Sequence, residues 1–199
     1  MQFFETKDCT GSQLLDVAGI ADFSNATMAN SVDGAMVMLN TNGNFVLESY
    51  VTITSYSANA HISININGDA NNRFIIWDND SNGIFNYGGA CNGNYVSTSQ
   101  DTLSFSTNTF KMAVYVTNKN AYLFINDSLK AVIVNVGNVN YLSVGAQECS
   151  VLFTNNRVSK QGINPDIYQG YASLNGVASC ESITDTNKYF YDFVANKKY

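Results

Sequence analysis

Along Thr109–Asn135 the apolar and polar positions alternate with a period of two. Phe110, Met112, Val114 and Val116 alternate with Lys111, Ala113, Tyr115 and Thr117. In an extended chain that period sends the two sets to opposite faces, so the spacing predicts a strand. Thr117–Asn120 reads as a turn, because Asn tolerates positive φ and hydrogen-bonds its own backbone. Ala121–Ile125 follows as a second strand, Asn126-Asp127-Ser128 as a second turn, and Leu129–Val134 as a third apolar run. A three-stranded meander with an apolar face needs another sheet over it.

The same reading places strands elsewhere. Gln2–Glu5 is a short first strand, and Gly11–Ile20 holds a helical turn or a loop. Ala35–Leu39 is a strand, followed by an Asn42-Gly43 hairpin signal. In Phe45–Ile53, Phe45, Leu47, Val51 and Ile53 face one way, and Glu48, Tyr50 and Thr52 the other. Asn59–Ile66 sets Ile62, Ile64 and Ile66 against His61, Ser63 and Asn65. Asn67-Gly68-Asp69 turns the chain into a strand at Arg73–Trp77. Ile84–Tyr87 comes next, then Gly88–Gly93 as a glycine-rich loop holding Cys91. Tyr95–Thr98, Thr102–Phe105, Tyr141–Ala146, Cys149–Phe153 and Asn156–Ser159 complete the strands. A helix is expected from Thr184 or Asp185 to Asn196, with Tyr189, Phe190, Phe193 and Val194 as its stripe.

About a dozen short strands separated by Asn and Gly turns make an all-β chain. The expected fold is a two-sheet antiparallel β-sandwich, a jelly roll, with short terminal extensions and one C-terminal helix. Residues 1–34 form an N-terminal extension with the first strand. Residues 35–159 form the sandwich, and residues 160–199 a C-terminal extension.

Composition fits a single domain of 199 residues with an ample core, at 45% hydrophobic and 13% aromatic residues. Only 13% are charged, about half the usual share of roughly 25%. Asn, Ser, Thr, Tyr and Gly therefore supply the polarity, with roughly 28 Asn residues. A net charge of −6 argues against a nucleic-acid partner. No apolar run reaches the ~18 residues of a membrane span. The N-terminus lacks the basic-then-apolar order of a signal peptide. On that basis Cys9, Cys91, Cys149 and Cys180 are expected to be free buried thiols, since none forms a C-x-x-C pair.

The run FKMAVYVTNKNAYLFINDSLKAVI resembles the central hairpins of the concanavalin A-like jelly rolls, the laminin-G, pentraxin and legume-lectin superfamily. Tyr122–Asp127 resembles the corner that ends a strand in that family. YLSVGAQECSVLFTNNRVS is similar to its closing strands, and GNFVLESYVTI to its first long strand. The likeness covers Ala35–Ser159 and rests on strands and turns. It implies a sugar-binding, protein-binding or scaffolding module.

Three constellations bear on chemistry. Asp78-x-Asp80-x-Asn82-Gly83 spaces oxygen ligands as in the first half of a calcium loop, so Asp78, Asp80 and Asn82 are the candidate metal ligands. The twelfth position would be Gly89, which offers no carboxylate, and the alternative is a hairpin turn. Sugar binding needs a ring to stack on the C–H face of the sugar and polar groups for its hydroxyls. Trp77, Tyr87 and Tyr95, with Asn79 and Asn92, are the candidate site, and core burial of Trp77 is the competing role. Glycoside hydrolysis needs paired carboxylates. The four glutamates, Glu5, Glu48, Glu148 and Glu181, form no such array, and Glu48 stands alone on its strand. The single His61 lies on a polar strand face.

These features lead to the expectation of a non-enzymatic virion surface component: a fibre, decoration or receptor-binding protein. Its partners would be itself as a homo-oligomer, other virion proteins and a host-surface glycan. The alternative is a lectin-like adhesin, extracellular or on a cell surface.

Overall fold

The computed structural model describes residues 3–6, 9–13, 20–29, 35–38, 45–78, 83–102, 109–117, 119–139, 141–159, 174, 176 and 178–180. Among these the secondary structure is all β, in thirteen strands. They are β1 (Phe3–Thr6), β2 (Cys9–Gln13), β3 (Ile20–Ala29), β4 (Ala35–Met38), β5 (Phe45–Ile66), β6 (Asp69–Asp78) and β7 (Ile84–Cys91). Then come β8 (Asn94–Thr102), β9 (Thr109–Thr117), β10 (Asn120–Ile125), β11 (Ser128–Val134), β12 (Tyr141–Ser159) and β13 (Ala178–Ser179). The two strands expected at Phe45–Ile53 and Asn59–Ile66 are one continuous β5. The expected Gly88–Gly93 loop is instead the end of β7, with only Asn92-Gly93 in the turn. Gly11–Gln13 extends as part of β2; residues 14–19, residues 103–105 and the expected helix at 184–196 lie outside the described residues.

Two strands span both layers. The first part of β5 pairs with β9 through Phe45–Thr52, and its last part pairs with β6 through Ala60–Ile66. β12 runs antiparallel along nearly all of β5. Its register breaks at Gln147/Cys149, where Glu148 takes a left-handed φ of 55°. Across that break residues 57–60 of β5 stand opposite the single Glu148, and such an irregularity bends the ladder and sharpens its twist. One sheet is therefore β2–β3–β12–β5–β9–β10–β11–β13, and the other β1–β4–β12–β5–β6–β7–β8, with β5 and β12 shared. Every pairing is antiparallel except β11 with β13.

The period-two positions meet between the sheets. Phe45, Leu47, Val51 and Ile53, with Phe110, Met112, Val114 and Val116, pack against Ile62, Ile64, Ile66, Phe74 and Ile76 in one buried cluster. Ala113, Tyr122, Phe124, Leu129, Val132 and Val134 form a second buried cluster on the far face of β9–β10–β11, with Leu174 packed on it. A sheet buried on both faces is apolar at every position, which is why Ala121–Ile125 does not alternate. The tight turns carry left-handed residues: Asn67 and Gly68, Asn92 and Gly93, Asn126 and Asp127. That conformation at both central residues matches the twist of the flanking strands.

A short strap closes the seam between the sheets. Ala178 is buried in the main core, β13 pairs with Ile133 and Val134, and Cys180 N–H donates to the Val134 carbonyl at 3.1 Å. A Cβ on Gly89 would lie 2.7 Å from Ile133 Cγ1 and 3.1 Å from Ala178 Cβ, so glycine lets β7 approach the strap. On the neighbouring edge, Thr98 and Ser99 hydroxyls both donate to the Lys130 carbonyl, the latter at 2.8 Å.

The strap is also covalently held. Cys91 and Cys180 form a disulfide, Cα to Cα 5.0 Å, across 89 residues of sequence. This corrects the expectation of free thiols at these two positions: the β7 end and the strap come together only in the folded sandwich. Cys149 is free and buried. Because a cross-link over so long a loop restricts the unfolded chain, Cys180→Ser is expected to lower unfolding free energy by about 2–4 kcal/mol. Thermal melts of wild type and variant, with and without reductant, check this: reductant should lower the wild-type Tm and leave the variant unmoved.

Candidate functional site

The outer face of β5–β6–β7–β8 carries the side chains that the core does not use. On β6, Phe74, Ile76 and Asp78 are buried, while Arg73, Ile75 and Trp77 alternate with them at intermediate exposure. Register aligns these across the sheet. His61 lies beside Trp77, and Trp77 beside Asn86 and then Gln100. Ser63 lies beside Ile75, then Gly88 and Ser97. Asn65 lies beside Arg73, then Ala90 and Tyr95.

Tyr95 breaks out of its row. Its ring leans diagonally across β7 to meet Trp77 edge-on, with centroids 5.1 Å apart and planes at 77°. Edge-to-face packing sets the positive rim of one ring against the negative face of the other. Gly88 makes the crossing possible. A Cβ there would collide with the Tyr95 hydroxyl, and would lie 2.5 Å from both Tyr95 Cζ and the Val96 carbonyl oxygen. Tyr95 is nevertheless 40% exposed, as is Ile84 at 39%, so an aromatic surface faces solvent. Burial of part of the ring pushes the Tyr95 phenol up to about 12, opposed by a hydrogen bond with Ser97. The hydroxyl thus stays protonated, and able to donate, well above neutral pH.

The candidate residues separate on this scaffold. Trp77 and Tyr95 come together. Tyr87, expected in the platform, is fully buried: it points inward with Phe85 and Cys91, and the Lys130 ammonium lies 5.7 Å from its ring centroid. Asn92 sits at the far turn, where its N–H donates to Asn72 Oδ1 at 2.9 Å and its Nδ2 to the Cys180 carbonyl at 3.0 Å. It holds the strap rather than joining Trp77. Asn79 lies outside the described residues.

The calcium reading loses its first ligand. Asp78 is fully buried, and its Oδ2 accepts the Gly83 N–H at 2.9 Å, closing the turn between β6 and β7. Asp80 and Asn82 lie outside the described residues. Among the described residues no three His, Cys, Asp or Glu side chains group as a metal site. Glu48 lies on the other sheet, 3.5 Å from Lys111 Nζ, which also bonds Asp127 at 2.7 Å. The Asp127 hydrogen bond raises the Lys111 pKa. Glu48 is thus an ion-pair partner, remote in the fold from the aromatic pair.

The sequence reading missed Gly88 and Arg73. The signal for Gly88 was present: Phe85, Tyr87, Gly89 and Cys91 keep a period of two, which leaves Gly88 on the outer face between Ile75 and Ser97.

No protein family matches the sequence, and no curated protein matches it significantly. Solved structures do resemble the fold. A functionally unknown protein from Saccharomyces cerevisiae aligns with TM-score 0.53 and 14% identity over 81% of this chain and 97% of that one. A carbohydrate-binding module from Bacillus subtilis aligns with TM-score 0.48 and 12% identity over 77% and 97%. A galectin from Caenorhabditis elegans aligns with TM-score 0.47 and 14% identity over 73% and 99%. The yeast likeness concerns the sandwich alone.

Gly88→Ala is expected to push the Tyr95 ring off Trp77, at a cost of about 1–3 kcal/mol for the added methyl. Trp77 is the single tryptophan, so its fluorescence checks the displacement directly. A red shift is expected in the variant, and an unchanged spectrum would mean that the contact is not held by Gly88. This outer face, with its paired rings and flanking amides and hydroxyls, belongs to a two-sheet antiparallel β-sandwich.

Proposed function

We propose that the protein is a non-enzymatic glycan-binding module, and that the outer face of β5–β6–β7–β8 is its binding surface. The observation that carries this is the Trp77–Tyr95 pair, laid across Gly88 and left partly open to solvent. A sugar ring stacks its C–H face on such an aromatic, and its hydroxyls need donors and acceptors around the rim. His61, Asn86, Ser97 and Gln100 stand in the rows beside the pair. In wild type the face should retain glycans on a microarray. Trp77→Ala is expected to weaken binding at least tenfold, about 1.4 kcal/mol, with an unchanged melting temperature. Retention of full affinity in both Trp77→Ala and Tyr95→Ala would end the assignment of this face.

The setting we infer is an exposed one, at a virion surface. The Cys91–Cys180 disulfide supports an oxidising destination, and the weakly charged, Asn-rich surface supports display outside a cell. Host-surface glycans would be the ligands there, and other copies of the chain its neighbours. Light scattering of the purified protein should then give a homo-oligomer; a monomer at all concentrations would remove the fibre or decoration role and leave a free-standing adhesin module.

A further inference from the structure

Beside the aromatic pair lies a cation, Arg73, that makes no ion pair with another described residue. Arg73 on β6 sits directly across from Asn65 on β5, in the row that leads through Ala90 to Tyr95. Asn65 is only 8% exposed. Its Oδ1 is shielded from solvent and accepts no hydrogen bond, and Arg73 Nε is shielded and donates none. Buried polar groups are nearly always paired, and each one left over costs about 1–3 kcal/mol. Asn65 Oδ1 and Arg73 Nε are closed to solvent, so the guanidinium Nη end of the half-buried Arg73 is the part that a ligand can reach.

The charges around it are sparse. On β6 the described charged side chains besides Arg73 are the half-buried Asp69 and the buried Asp78. Positions 143, 145 and 147 of β12, which pair with Asn65, Ser63 and His61, are Ser, Gly and Gln. Glu148 stands at the β12 bulge, beside the His61 end of the face. Asp69 is committed to the Asn71 N–H at 2.8 Å and Asn72 Nδ2 at 2.6 Å. Glu5 shares the row of Arg73 through Met36 and Ser143, four strands away, or roughly 19 Å at sheet spacing, beyond a Debye length at physiological salt.

From this geometry we infer that the module selects acidic sugars. The ligand is a carboxylate-bearing monosaccharide, whose carboxylate accepts from the Arg73 guanidinium while its ring lies towards Tyr95 and Trp77. A planar guanidinium matches a carboxylate with two parallel N–H···O bonds. Two kinds of sugar share this chemistry, uronic acids and sialic acids. The inference rests on the glycan-binding reading of the same face and narrows it.

The test uses intact protein and paired probes in isothermal titration: 3′-sialyllactose against lactose, and a glucuronate-terminated disaccharide against its glucose-terminated counterpart. At least one acidic probe is expected to bind tenfold or more tighter than its neutral partner, with affinity falling as salt rises. Arg73→Gln should remove that preference, and Arg73→Lys should restore part of it. Which acidic probe responds separates the two sources. Equal binding of acidic and neutral probes, or a preference that survives Arg73→Gln, overturns selection by charge and leaves glycan binding standing. Failure of wild type to bind any of the four sugars, or any glycan on the array, removes the glycan reading itself and this inference with it.

Discussion

The apolar contact between two sheets that share their central strands is the interaction on which the rest of this molecule depends. β5 and β12 run side by side through both layers. One part of β5 presents Phe45, Leu47, Val51 and Ile53, and another presents Ile62, Ile64 and Ile66, to the same core cluster. The two layers are thus one covalent and hydrogen-bonded object. The bend, marked by the register break where residues 57–60 of β5 face Glu148 of β12, is what turns one long ladder into two facing sheets. Burial of apolar area is worth about 25 cal/mol per Å². A sandwich concentrates that burial between its layers, and the remaining outer faces then differ according to what covers them.

That difference decides which outer face is open to solvent. The outer face of β9–β10–β11 is itself buried, with Tyr122, Phe124 and Val132 in a second cluster, so it is closed to a soluble ligand. The outer face of β5–β8 keeps Trp77, Tyr95 and Ile84 partly open amid amides and hydroxyls. Rings held by a sheet are pre-positioned: the backbone of β7 at Gly88 supports Tyr95 from below. A ligand meeting such a surface pays little ordering cost. The core thereby serves the site without contributing an atom to it.

The strands were largely legible, because half-buried strands write their burial into every second residue. Ile62–Ile66 and Phe110–Val116 announce both their extension and their inward faces. The hairpin turns were legible too, because Asn-Gly and Asn-Asp suit left-handed backbone. Three features were not. The five residues 54–58, Thr-Ser-Tyr-Ser-Ala, look like a break, yet they continue β5 through its bend. Gly88–Cys91 looks like a loop by composition, although its period of two belongs to β7; reading by composition also placed Tyr87 at the surface. The Cys91–Cys180 pairing joins residues 89 apart, a distance over which no local pattern operates. At the site, Trp77 and Tyr95 were linked by nearness in sequence, whereas the structure links them by a ring crossing a glycine strand, which requires register to see.

The pairing of β12 with β3 reaches from Ser159 back to Ile20, and β13 adds Ala178 to β11 after that. Contacts between such distant parts of a chain slow folding, since the intervening loop must be closed before any contact rewards it. A ribosome making this protein must deliver β12 before β5 gains one of its two long-range neighbours, and Ala178 before the seam is filled. Until then β11 holds an open edge, the kind of template on which nascent chains associate wrongly. The strap, made after every other described strand, is thus a late kinetic step in maturation as well as a structural seal, and production of soluble protein is expected to depend on how the unfinished chain is sheltered.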